Sequence, residues 1–164
     1  MRRLALIALA SCALSDMTVE PAKIDTLDYA VPAGWSSRDL SSLQSTMIEW
    51  RPDGENERKE SLVISRAEQP ALSKSRPHLR RRLLEASLQL PRAGFAAPIS
   101  FVTRNGLSGV RVEGTFTPPG KAVSYHRIHA VLVDGSSLVH VVYTARDPDR
   151  EHFEAVIDGF RTGA

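Results

Sequence analysis

AVSYHRIHAVLVDGSSLVHVVYTAR, residues 122–146, is the stretch on which the fold turns. Asp134-Gly135 has the chemistry of a tight turn, and the flanking segments Ala122–Val133 and Ser137–Arg146 alternate with period two. With Val133 opposite Leu138, one face holds Ile128, Ala130, Leu132, Val139, Val141 and Tyr143. The other holds His129, Val131, Val133, Leu138, His140 and Val142. Both faces are largely apolar, which predicts central strands covered on both sides.

Working outward, Asn105-Gly106 reads as a type I′ turn joining Ile99–Arg104 to Leu107–Thr117. Pairing Arg104 with Leu107 sets Phe101 opposite Val110 and Ile99 opposite Val112, so that the apolar residues share a face. Upstream, Leu27, Tyr29 and Val31 alternate with polar or small residues as a half-buried strand, closed by Pro32-Ala33-Gly34-Trp35. Ser36–Gln44 reads as a loop or a short helix carrying Leu40 and Leu43. Thr46–Arg51 and Ser61–Arg66 read as strands around a polar loop, Pro52–Glu60. A helix is expected over Pro77–Leu90, with Leu79, Leu83, Ala86 and Leu90 as its buried stripe and Pro91 and Gly94 as its stop. The last helix takes Asp147 as N-cap and Pro148 as its first residue, and buries Phe153, Val156, Ile157 and Phe160. Three strands, a helix, four strands and a helix predict an α+β fold: a mainly antiparallel sheet of about six to seven strands with helices packed on both faces.

The chain has 164 residues, 42% hydrophobic, 24% charged and 6% aromatic, with a single cysteine. That suits one domain with its own core and excludes an intrachain disulfide or a zinc site built on cysteine pairs. No apolar run reaches the ~20 residues a membrane-spanning helix needs. Met1-Arg2-Arg3 followed by Leu4–Ser11 (LALIALAS) has the basic start and short apolar run of a signal peptide. Leu9-Ala10-Ser11-Cys12 resembles a bacterial lipobox, with cleavage between Ser11 and Cys12 and a lipid on the Cys12 thiol. Two other readings stand beside it: cleavage after Ala8-Leu9-Ala10, leaving Cys12 free, or Cys12 as a small apolar residue in a frayed terminus. The expected organisation is a lipoprotein signal peptide over 1–11, a lipidated cysteine and tether over 12–25, and one globular domain over 26–161. Ala13 after the cysteine, by resemblance to enterobacterial lipoproteins, implies the outer membrane, facing the periplasm. Secretion without lipid, or a cytoplasmic protein if the leader is misread, are the alternatives.

The formal charge of +2 includes Arg2 and Arg3; without them the 21 basic residues become 19, against 19 acidic ones. A neutral domain gives no electrostatic case for a nucleic-acid partner. Arg76, Arg80, Arg81, Arg82 and Arg92, with Lys74, form a basic cluster, read either as contact with lipid phosphates or an acidic partner, or as a solvated helix face. Trp35 and Trp50 read as a binding groove or as core anchors. Neither a nucleophile elbow nor a phosphate-cradling loop occurs. His129 and His140 fall on one face of adjacent strands, a weak candidate metal pair that lacks a third ligand. Their ordinary reading is mutual hydrogen bonding beneath a helix. His126 falls on the opposite face, His152 on a helix exterior and His78 in a helix first turn. No catalytic residue and no cofactor is expected.

Val31-Pro32-Ala33-Gly34-Trp35, the Tyr125–Tyr143 hairpin and the Asp147–Phe160 helix together resemble the PsbP-like α/β/α sandwich over about residues 26–161. That group includes the photosystem protein PsbP, the Ran-binding Mog protein and the bacterial DcrB-like lipoproteins. The resemblance implies an adaptor, assembly factor or chaperone rather than an enzyme. The leading expectation is a non-enzymatic, membrane-anchored envelope lipoprotein that binds or helps assemble another protein. An immunity or chaperone-type protein for a secreted toxin comes second, and a metal-dependent hydrolase third.

Overall fold

The computed structural model describes residues 18–54, 60–88 and 94–162; Ser11, Cys12, Leu90 and Arg92 lie outside them. In chain order it contains β1 (Val19–Ile24), β2 (Leu27–Pro32), β3 (Trp35–Asp39), β4 (Thr46–Pro52), β5 (Glu60–Glu68), α1 (Ala71–Lys74) and α2 (Pro77–Ser87). Then follow β6 (Ile99–Val102), β7 (Ser108–Phe116), β8 (Tyr125–Asp134), β9 (Ser137–Ala145), α3 (Arg150–Gly159) and β10 (Arg161–Thr162). A seven-stranded sheet runs β3-β4-β5-β9-β8-β7-β6, and a three-stranded sheet runs β1-β2-β10. Neighbouring strands are antiparallel throughout.

β8 and β9 pair with Val133 opposite Leu138 and His129 opposite Val142, the register that their alternation predicts. The loop is Gly135-Ser136, with Gly135 at φ +60°. Each face then builds its own core. Leu62, Ile64, Ile128, Ala130, Leu132, Val139, Val141 and Tyr143 meet Leu27, Tyr29 and Val31 of the small sheet and Phe153, Val156, Ile157 and Phe160 of the α3 segment. On the opposite face Val110, Val112, Val131 and Leu138 meet Leu72 of α1 and Leu84 and Leu88 of the α2 segment. The expected α+β sheet with helices on both faces is therefore present, with the small sheet as an added layer.

Several local expectations change. Type I′ geometry needs positive φ at both Asn105 and Gly106, yet only Gly106 takes it, at φ +86°. Gly106 N donates to Thr103 O and Leu107 N to Thr103 Oγ1, which lengthens the turn. Ile99 consequently faces Arg111, Ser100 faces Val110 and Phe101 faces Gly109. This one-residue slip moves Ile99 and Phe101 to the opposite face from Val110 and Val112. The cause is tertiary: Asn105 Nδ2 donates to Asp158 O and Phe160 O, at 2.9 and 3.0 Å, and so satisfies carbonyls at the C-terminus of α3.

The stretch read as a tether contains β1, a strand that is mostly exposed and therefore shows no clear alternation. Ser36–Gln44 begins as β3 rather than a helix, and Leu40 and Leu43 stay exposed. The N-cap of α3 is Asp149, which accepts from Glu151 N, not Asp147. In α2, Pro77 does take the first position, but Leu84 is buried while Leu79 and Ala86 are exposed and Leu83 is half-buried. The single-turn α1, not foreseen, places fully buried Leu72 in the same core, so α2 turns another side to the sheet.

Candidate protein-docking face

The outward side of α2 carries the stripe that its spacing predicts to be buried. Leu79, Leu83 and Ala86 line an open groove of about 620 Å³ with Ala71, Lys74 and Arg82. On its other flank, α2 lines a second groove of about 360 Å³, where Pro77, Arg80, Arg81 and Leu84 look across to Ser100 and Val102 of β6. The Leu79 side chain stays in water because Leu72, Leu84 and Leu88 already cover Val110, Val112, Val131 and Leu138. Apolar walls flanked by positive charge thus make up the two sides of α2.

The basic residues divide by role. Arg81 Nε bonds Glu85 Oε1 at 2.7 Å in an i,i+4 pair. Arg80 donates through Nη2 to Leu72 O at 3.4 Å, while its Nε is shielded from water and has no hydrogen-bond partner among the described residues. Arg76, Arg82 and Lys74 are exposed. The tryptophans lie elsewhere. Trp35 is buried in the core beneath α3, and Trp50 is half-buried with Nε1 donating to Tyr29 Oη at 2.9 Å. The four arginines and the two tryptophans thus sit on opposite faces of the large sheet and do not form one surface.

His129 and His140 do meet: His129 Nε2 lies 3.2 Å from His140 Nδ1, so one neutral ring donates to the other. Burial, with the His140 and Arg127 charges behind it, pulls His129 down to about 4; burial also lowers His140. Both rings are neutral at neutral pH and satisfy each other. No group of three histidine, cysteine, aspartate or glutamate side chains poised to hold a metal exists among the described residues. His126 pairs on the opposite face, with Nε2 3.8 Å from Glu113 Oε2.

His152 is not on a free helix exterior. Its Nδ1 lies 3.3 Å from Glu60 Oε1, and its ring packs edge-on to Trp35 with centroids 5.9 Å apart. Tyr143 Oη donates to the same Glu60 oxygen and accepts from Asp149 N at 3.0 Å. Burial pushes the Tyr143 phenol upward and the Glu60 carboxylate reinforces the shift, so the hydroxyl stays protonated. This cluster latches the start of α3 to the start of β5. Sequence reasoning missed it because Glu60, Tyr143 and His152 come from three separate elements.

No family description and no curated protein matches the chain. Solved structures do. The solution structure of cyanobacterial PsbP (CyanoP) from Synechocystis sp. PCC 6803 superposes with a TM-score of 0.57 at 16% identity, covering 96% of this chain and 98% of that one. A crystal structure from Bacteroides thetaiotaomicron VPI-5482 gives a TM-score of 0.55 at 11% identity, covering 85% of this chain and 46% of that longer one. At these identities the likeness is one of fold. The chain has a PsbP-like α/β/α sandwich.

Proposed function

We propose that this is a non-enzymatic envelope lipoprotein whose globular domain binds or helps assemble another protein. The observation that carries the reading is the outward face of α2, where exposed Leu79 and Ala86 and half-buried Leu83 line a groove with Arg82. A monomeric surface helix ordinarily keeps such a stripe for its core. The PsbP-like fold and the Leu9-Ala10-Ser11-Cys12 leader support the same reading. In this reading Cys12 carries the lipid, the domain faces the periplasm from the outer membrane, and α2 meets the partner. Each buried methylene of the lipid adds about 0.8 kcal/mol, so two or more chains hold the protein durably.

The test compares wild type with Cys12→Ala by palmitate labelling and membrane fractionation, each also carrying a photocrosslinking side chain at position 82 or 37. Label and membrane association should depend on Cys12, and crosslinks should form from position 82 on α2 but not from position 37 on β3. An unlabelled, cytosolic wild type removes the lipoprotein reading. Equal crosslinking from both positions removes the α2 face.

A further inference from the structure

The two edges of the seven-stranded sheet are built differently. β3 exposes Ser36, Ser37, Arg38 and Asp39, the polar and charged kind of edge that discourages strand addition. β6 is Ile99-Ser100-Phe101-Val102, without a charge, and Ile99 and Val102 are 51% and 66% exposed. Its inner side pairs with β7, and among the described residues no strand pairs with its outer side. An antiparallel edge of this kind turns alternate N–H and C=O groups outward.

Charge distinguishes the two flanks of β6. On the side of Ser100 and Val102 stand Arg80 and Arg81 of α2. Among the described residues Glu85 is the one acid paired within this group, on Arg81. On the side of Ile99 and Phe101 the positive charges are already met: Arg111 by Glu154 at 2.6 Å and Arg104 by Asp158 at 3.5 Å. The one-residue slip in the β6–β7 register is what places Ile99 and Phe101 on this neutral flank.

We propose that β6 is a strand-addition edge for an extended segment of the protein partner in which acidic and apolar residues alternate. The inference rests on the protein-binding reading above and adds its chemistry. The segment's main chain pairs with β6, its acidic side chains turn toward the α2 arginines, and its apolar side chains cover Ile99 and Phe101. A second copy of this chain is the poorer occupant, since two-fold pairing of β6 with itself brings two sets of like charges together.

The test titrates the purified domain with an acetylated nonapeptide of alternating valine and glutamate. The controls are its valine–lysine counterpart and the same acidic peptide with alternate amides N-methylated. The acidic peptide should bind at least tenfold tighter than either control, slow amide exchange at Ile99–Val102, and lose at least tenfold in affinity against Ile99→Lys. Because Ile99 is half exposed, that variant should keep the wild-type Tm. Equal binding of the three peptides, unchanged exchange in β6, or dimerisation abolished by Ile99→Lys overturns the proposal. Crosslinking from position 82 that persists in Ile99→Lys cells would overturn strand addition alone and leave α2 docking standing; its disappearance from wild-type cells would remove the docking reading itself.

Discussion

One face of the large sheet is covered by tied, interlocking elements, and the other by a thin layer of leucines. On the first, α3 and the small sheet bury Tyr29, Tyr143, Phe153 and Phe160, with Tyr29 and Phe160 stacked at 5.2 Å. Polar ties hold that cover in place: Arg111 to Glu154, Arg150 to Glu113, Asn105 to the end of α3, and Tyr143 with Glu60 at its start. Gly159 comes so close to β2 that a Cβ there would lie 2.9 Å from Ala30 N. On the second face α2 has no side-chain N-cap bond, few buried side chains and a histidine pair beneath the same cover. The apolar–basic surface lies on the less firmly held side. Docking a partner on α2 would therefore add cover where the domain has least.

This asymmetry can be broken first at its strongest point. Phe160→Ala should cost about 3–5 kcal/mol, against about 2–3 for Leu84→Ala, because a fully buried aromatic leaves the larger cavity. Urea denaturation of both variants measures it, and equal losses would end the comparison. The second test is acidification. His129 has a folded value of about 4, below the ordinary histidine value of about 6.5, so the unfolded chain binds its proton first. Stability tied to this residue is intact above about pH 6.5 and is lost as pH falls toward about 4, by up to about 3 kcal/mol. Urea midpoints for wild type and the His129→Leu/His140→Leu double variant across that window should converge at acid pH or cross; parallel curves would refute the assignment. The smallest effect belongs to the outward stripe. Leu79→Ser should change stability by no more than about 1 kcal/mol, since the residue is already 43% exposed, while reducing crosslinking from position 82.

The central hairpin was readable because its two-sided alternation and its Gly135 turn agree with burial on both faces. The stripe of α3 was readable for the same reason. The Asn105-Gly106 turn was not, because local turn preference lost to Asn105's bonds with α3, far along the chain. The buried side of α2 was misread because Leu72, from a single-turn helix with little sequence signal, already fills the position that Leu79 would take. The basic residues of the docking face were visible in sequence. Its neighbours, the uncharged β6 edge and exposed Leu79, needed the register and the rotation of α2.

β10 pairs with β2, setting Arg161 against Asp28 and Thr162 against Leu27. β2 thus waits for β10, the last strand among the described residues. Contacts so distant along the chain are slow to form, since the whole intervening loop must close before they are rewarded. During synthesis the small sheet stays incomplete until the C-terminal residues emerge, and the chain keeps an unfinished layer for most of that time.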